Sequence, residues 1–286
     1  MASFPGRGKG KLVRVRQSHF VPPVPYLVAD AIGAFERRGV EVDTRRAASS
    51  AQQRDDLASR EIDVAVTAID NVFAWNAHAP VFRVAAQLEA TTPLAVYSTP
   101  GFGSLADLEG SRFAVDALTS GFSVIARALL EGAGLAAAFV ERGGVTERLA
   151  SLFEGSADAT LLGPPIDERA EAAGLVRILS VHEAFPEFPG QAAVVRADDD
   201  AARGALEAYL DALGEATSSA AKWDDAEGVA VLEQAGLPAR SAAALWHARA
   251  RSLEVSAAGL ALLSRLRFEH GMIPAGDCLP DILTTP

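Results

Sequence analysis

The sequence predicts an α/β fold: two doubly wound α/β lobes with a ligand cleft between them, plus C-terminal helices packed on the first lobe. Three observations predict it. First, one pattern occurs twice: a helical stretch ends, an Asp opens a short apolar strand, and a turn delivers an Ile-Asp pair. It runs from Leu57 to Asp70 and, with two extra residues before the pair, from Leu152 to Asp167. Second, strand-like and helix-like segments alternate, an order that favours parallel sheets with helices on both faces. Third, the chain reads as a succession of helices from Asp198 onward, with Leu, Tyr and Trp recurring among the alanines. Two separated copies of one pattern imply two similar lobes, and such proteins work at the cleft between them.

The elements follow in order. Lys11 to Arg16 alternates apolar and basic residues and reads as a strand. Pro22, Pro23 and Pro25 open a helix, where the first turn tolerates proline; Tyr26, Leu27, Ala31, Ile32 and Phe35 form its apolar face and Gly39 ends it. A strand at Val40 to Arg45 is followed by a helix to Ser59, with Ser49 and Ser50 as N-cap residues. Ile62 to Val66 is a buried strand, Asp70 to Trp75 a helix, and Pro80 to Leu88 and Leu94 to Tyr97 are strands. Gly101, Gly103 and Leu105 to Gly110 punctuate the chain, which places the crossovers between lobes near 95–102 and 190–197.

The second unit repeats the order. It has strands at Arg112 to Asp116, Phe139 to Arg142, Ala157 to Leu162 and Val176 to Ser180. Helices run from Phe122 to Gly132, Thr146 to Phe153 and Asp167 to Ala173. Gln191 to Arg196 is a returning strand. Helices to about Ala221, then Asp224 to Gln234, Ala239 to Arg251 and Ser256 to Glu269 complete the chain, and the tail from Gly271 lies along the first lobe. The first lobe takes residues 1–98 and 194–286, the second 99–193.

Composition excludes several classes. The net charge is -11, and the one basic cluster (Arg7, Lys9, Lys11, Arg14, Arg16) is short and reads as a solvated tail, so no nucleic-acid partner is expected. With one cysteine, Cys278, no intramolecular disulfide is possible. No apolar run is long enough to span a membrane, and no insertion is expected. The basic start has no apolar h-region and no lipobox cysteine behind it, which reads as cytoplasmic; an extracytoplasmic protein whose signal peptide had been removed would read the same. No Walker A or Gly-x-Gly-x-x-Gly phosphate loop, nucleophile elbow or metal-ligand cluster occurs, so no cofactor, metal or catalytic residue is expected. His78, His182, His247 and His270 are isolated, and Trp223 and Trp246 read as packing residues. The chain is expected to be a monomer.

Ligands of open α/β sheets sit outside the carboxyl ends of the strands. In the first lobe those ends carry Ser18 and His19, then Ser49 and Ser50, then Thr67, Asp70 and Asn71. In the second they carry Thr119, Ser120, Gly121 and Phe122 at a helix start, and Pro164 and Asp167. Thr119 to Gly121 reads as an anion site or as an ordinary N-cap, and Ser49-Ser50 has the same two readings. Asp70 reads as an N-cap or as a ligand contact, and a carboxylate there disfavours a simple anion. His19 is either a ligand contact or a solvated loop residue. Trp75 and Phe122 either stack on a planar ligand or pack.

Four segments carry a resemblance to a known family: Ala34 to Val42, Asp63 to Asn71, Leu105 to Asp116 followed by Ser120-Gly121-Phe122, and Gly155 to Asp167. Over roughly residues 11 to 285 the chain resembles the periplasmic-binding-protein-like solute-binding proteins of nitrate, taurine and sulfonate ABC importers. The resemblance implies a solute-binding protein that closes two lobes on a small organic molecule by hinge motion, with an ABC permease as partner. The alternative is an intracellular enzyme or a ligand-sensing protein on the same fold. Thiamine-pyrimidine synthases and aromatic sulfinate desulfinases share the architecture, but this sequence has neither a cysteine-rich motif nor a cysteine in the first lobe. A transcription-regulator effector domain would need an N-terminal helix-turn-helix, and only about ten residues precede the first strand.

Overall fold

The structure, a computed structural model, describes residues 12–77, 80–199 and 202–273. Arg7, Lys9, Lys11, His78, Cys278 and the tail from Pro274 lie outside the described residues. Strand β1 (Val13–His19) leads through α1 (Val24–Ala31) and α2 (Ala34–Arg37) to β2 (Val40–Arg46). Then come α3 (Ser50–Ala58), β3 (Val64–Ala68), α4 (Ile69–Asn76) and β4 (Phe82–Gln87). The second unit comprises β5 (Ala95–Ser98), a 3-10 turn at Leu105–Leu108, β6 (Arg112–Val115), α5 (Gly121–Gly132) and β7 (Ala138–Glu141). It continues with α6 (Val145–Phe153), β8 (Ala159–Leu162), α7 (Ile166–Ala172), β9 (Val176–Ser180) and α8 (Val181–Ala184). Strand β10 (Gln191–Arg196) and helices α9 (Arg203–Ala220), α10 (Asp225–Gln234), α11 (Ala239–Ala248) and α12 (Ala257–Glu269) follow.

Local chemistry accounts for the boundaries. The helix read as continuous from the prolines to Phe35 is split by Gly33, whose φ of 69° leaves the helical region. Ser49 caps α3 by accepting from the Gln52 amide at 3.1 Å, and Ser120 caps α5 by accepting from Ser123 at 3.2 Å. At α10, Asp224 and Glu227 form a reciprocal capping box. Asp70 is not the cap of α4; that helix begins one residue earlier, at Ile69, with Ala68 in the cap position.

Two five-stranded sheets form, ordered β2-β1-β3-β10-β4 and β7-β6-β8-β5-β9. Each is mixed rather than wholly parallel. Strand β10 runs antiparallel between β3 and β4, and β5 runs antiparallel between β8 and β9. In each lobe the antiparallel strand is the one delivered by a crossover. This moves the lobe boundaries: β5, assigned above to the first lobe, belongs to the second sheet, and all of β10 belongs to the first. The crossovers accordingly fall at 88–94 and 185–190, several residues earlier than the glycine-rich punctuation suggested.

The doubled sequence pattern has a doubled chemical cause. Asp63 accepts from the Arg16 backbone amide at 2.8 Å and from its guanidinium at 3.0 and 2.5 Å. Asp158 treats Arg112 the same way, at 2.7, 3.0 and 2.6 Å. Each Asp precedes the central strand of its sheet and clamps it to that strand's parallel neighbour, β1 in one sheet and β6 in the other.

Three apolar clusters fill the molecule. One packs β1 and β2 against α1, α9 and α11, another lies within the second lobe, and the largest runs through both lobes and takes in α12. Helices α9 to α11 cover the first lobe, whereas α12 also reaches α5 of the second. Trp246 on α11 is fully buried, donates to Asp225 at 2.9 Å and lies under the Arg249 guanidinium, 3.5 Å from its ring centroid. The α10 backbone approaches so closely that a Cβ at Gly228 would sit 2.1 Å from the indole. Gly228→Ala is therefore expected to destabilise the fold by about 1–3 kcal/mol, through overpacking against a rigid ring. Urea unfolding of the variant beside the parent measures it.

Candidate functional site

A cavity of about 680 Å³ lies between the lobes, within the usual range for small-molecule sites. Its walls are strand ends and the loops and helix starts that follow them: Phe20 after β1, Arg46 at the end of β2 through Ala51 in α3, and Thr67 of β3 with Asn71 of α4. Opposite lie Asp116 and Ala117 after β6, Gly143 to Arg148 after β7, and Gly163 to Ile166 after β8. Helices α3, α5 and α6 thus turn their N-terminal ends toward it, each with unpaired amides and a partial positive charge. A second cavity, about 560 Å³, lies at the amino ends of the first sheet's strands, around Leu12 to Arg16 and Asp63. Ligands of open sheets bind at the opposite ends, which makes the inter-lobe cavity the candidate site.

Of the residues singled out from sequence, Ser49, Ser50, Thr67, Asn71, Ser120, Gly121, Phe122 and Pro164 line this cavity. Several are already engaged. Ser49 is the α3 cap, Asn71 donates to Thr67 Oγ1 at 2.8 Å, and the Ser120 hydroxyl donates to Asp116. Trp75 packs edge-on against Phe82, as one of its two readings held.

The other five fall elsewhere, for identifiable reasons. Ser18 is 1% exposed beneath Gln53, whose amide donates to the Ser18 carbonyl at 3.2 Å and to Val66 at 3.0 Å. His19 is buried rather than solvated, and its Nδ1 accepts from Gln17 at 3.2 Å. Burial, reinforced by Arg46, pulls its pKa down to about 4, so the ring is neutral at pH 7.

Asp70, Thr119 and Asp167 lie at joints between the lobes. Asp70 and Arg267 of α12 form an ion pair whose side chains are 1% and 2% exposed. Arg267 Nε donates to Asp70 Oδ1 at 2.8 Å, and Nη2 reaches the other carboxylate oxygen and the Thr119 carbonyl at 3.0 Å. A Cβ at Gly121 would lie 2.5 Å from the Asp70 carboxylate, and one at Gly144 would lie 3.1 Å from the Ala48 carbonyl, so the lobes touch at both points. Asp167 lies in the first turn of α7 within reach of the Arg240 charge, and Glu168 and Glu171 of the same helix bind Ser241 and Arg240 of α11. Glu171, held by Arg240 and by the Tyr97 hydroxyl at 2.7 Å, titrates at about 2.

Sequence reasoning missed the charged groups of the cavity: Arg46, Glu89, Asp116, Glu147, Arg148 and Arg169. Arg148 donates to Thr160 Oγ1 at 2.9 Å and to the Leu161 carbonyl at 2.5 Å, and its guanidinium lies 5.6 Å from the Phe122 ring centroid. Its Nε is buried without a partner, and burial lowers its pKa against the pull of Asp116 and Glu147. The spacing Val145, Arg148, Leu149, Leu152 on α6 puts this arginine on the helix's buried face, a signal the sequence carried. Glu89, at the first crossover, is 1% exposed, and burial lifts its pKa to about 7 despite hydrogen bonds from Gln191. Among the described residues no cluster of His, Cys, Asp and Glu could hold a metal, and no helix is long and apolar enough to cross a membrane.

The family model described as NMT1/THI5 like matches residues 23–216, more than half of the chain. The chain belongs to the NMT1/THI5-like family. No curated protein sequence matches this NMT1/THI5-like chain. Solved structures share its fold at low identity. The ligand-binding component of an ABC-type import system from Staphylococcus aureus, with zinc bound, superposes with a TM-score of 0.76 at 14% identity, covering 95% of this chain and 96% of its own. For the alkanesulfonate-binding protein of Xanthomonas axonopodis pv. citri bound to MOPS the values are 0.72, 18%, 93% and 96%. For a Candida albicans protein described as exhibiting the generic periplasmic binding protein fold they are 0.75, 13%, 93% and 92%. This family member has the periplasmic-binding-protein fold.

Two outcomes follow from the buried charges. Arg267→Met leaves Asp70 buried and unpaired and is expected to cost about 3–5 kcal/mol, most of it recovered in the Asp70→Leu/Arg267→Met double variant; chemical unfolding of the three proteins tests this. Glu89 holds its proton more tightly folded than unfolded, so its contribution to stability is best below the ordinary carboxylate pKa and is lost as pH rises through about 7. Glu89→Gln is therefore expected to be more stable than the parent at about pH 8, by on the order of 3 kcal/mol, and to match it near pH 4. Melting curves across that range read the difference.

Proposed function

We propose that this protein is a solute-binding protein that captures a small organic molecule in the inter-lobe cavity and passes it to an ABC permease. The observation that carries the reading is the composition of the cavity wall. Both lobes and both crossovers contribute to it, so a ligand there is held by groups that move relative to one another when the lobes part. Binding and closure are then one event, because the ligand has its full set of contacts only when the lobes are together.

The chemistry of the wall narrows the ligand. Phe20, Leu94, Phe122, Phe188 and Leu245 supply apolar surface, while Arg148, Ser50, Asn71 and Thr92 supply polar contacts. Such a site suits an organic molecule with polar substituents better than a bare inorganic ion. The matching folds of ligand-binding components of import systems support the transport role.

Thermal shift against a broad metabolite panel tests this reading. A ligand present at about a hundred times its Kd is expected to stabilise the protein by about 2.7 kcal/mol, and to reduce the radius of gyration in solution scattering if the free lobes part. A folded protein whose melting temperature no panel member raises would count against a solute-binding role.

A further inference from the structure

Two residues, one from each crossover, meet at the cavity's hinge side. Glu89 lies in the first crossover, two residues after β4, and Gln191 opens β10 immediately after the second. The amides of Leu88 and Glu89 both donate to the Gln191 carbonyl, at 2.8 and 3.1 Å. In return, Gln191 donates to the Glu89 carboxyl from its backbone at 3.3 Å and from its side-chain amide at 2.7 Å. Both residues belong to the cavity wall. Gly190 makes room for them: a Cβ there would fall 2.4 Å from that of Glu89.

The pair is incomplete as it stands. Glu89 has no cationic partner among the described residues. Arg249, its backbone bridge partner, turns its guanidinium onto the Trp246 ring and the Trp246 carbonyl. The charged groups elsewhere on the cavity wall are Arg46, Asp116, Glu147, Arg148 and Arg169, and none forms an ion pair with Glu89. Beside it, Gln191 Oε1 and Thr92 Oγ1 are buried without hydrogen-bond partners. The corner can take a donor: the Gln191 amide oxygen only accepts, and the Thr92 hydroxyl can accept as well. A buried acceptor left unpaired costs free energy that a ligand N–H group recovers.

We propose that Glu89 and Gln191, with Thr92, form a recognition subsite for a hydrogen-bond-donating nitrogen group, an amine or amidine, on an otherwise apolar small ligand. The inference rests on the solute-binding reading above and names the ligand class for that site. Both carboxyl oxygens of Glu89 accept from Gln191, yet no cation among the described residues balances the carboxylate, and Gln191 Oε1 and Thr92 Oγ1 stay unpartnered. The raised pKa of Glu89 agrees with that arrangement, since a cationic group arriving beside it would favour the charged form and displace its proton.

Matched compounds test it with the full chain: benzylamine against benzyl alcohol, benzamidine against benzamide, and 4-(aminomethyl)benzoate against 4-(hydroxymethyl)benzoate, ranked by thermal shift. The best binder then goes to calorimetry at about pH 6 and about pH 8, in two buffers of different ionisation enthalpy. The expected result is preference for the amine or amidine, affinity rising about tenfold between those pH values, and proton release on binding. Glu89→Gln should lose the preference and the pH dependence. Equal binding of the hydroxyl or amide partners, affinity that falls with rising pH, or amine binding unchanged in Glu89→Gln would each overturn the inference while leaving a solute-binding protein. Proton release from the parent decides the matter even if the variant folds poorly. If neither these compounds nor any in the broader panel binds, the solute-binding reading fails and the inference with it.

Discussion

The buried pair of Asp70 and Arg267 is the contact on which the relation between the lobes depends. Asp70 belongs to the first lobe, the Thr119 carbonyl belongs to the second, and Arg267 on α12 joins both. An ion pair almost fully removed from water adds little net stability, because desolvation offsets most of the attraction. It is costly to misplace, however, and so it specifies geometry. The lobes cannot part at this joint without separating Arg267 from one of its partners. The α7–α11 contact through Glu171 and Arg240 is a second tie, exposed and therefore weaker.

Around these joints the structure divides labour between apolar and polar groups. The largest apolar cluster runs through both lobes and α12, giving the pair a common floor. The cavity wall above it is polar where strands end and helices begin. This follows from backbone geometry: strand carboxyl ends and helix N-termini expose unpaired carbonyls and amides, so polar side chains and ligands gather there. The first crossover adds Glu89, a buried carboxyl on the cavity's hinge side, whose partner Gln191 opens β10 just after the second crossover.

Much of this was legible in the sequence because it rests on local rules. Asp63 and Asp158 mark the starts of central strands, Ser49 and Ser120 mark helix starts, and alternation marks the strands. Eight of the thirteen residues chosen from strand ends line the cavity, since position at a strand's carboxyl end is a local property. Whether a side chain at that position points into the cavity or away from it is not. Ser18 and His19 end a strand correctly yet face Gln53 and Gln17. Asp70 looks like an ordinary helix-start acid until Arg267, 197 residues later, closes on it.

The amino-acid sequence alone determined that two α/β units exist, where their elements begin, and that their strand ends face a common space. Periodicity, capping and turn chemistry act over a few residues, and each can be read in place. Tertiary structure decided that β5 pairs within the second sheet rather than the first, whereas the return of β10 to the first sheet was already readable in the sequence. It also decided which polar residues serve the lobe joints and which serve the cavity. Those outcomes depend on charges and carbonyls brought together from distant parts of the chain, whose energies arise from burial and pairing that no local window contains.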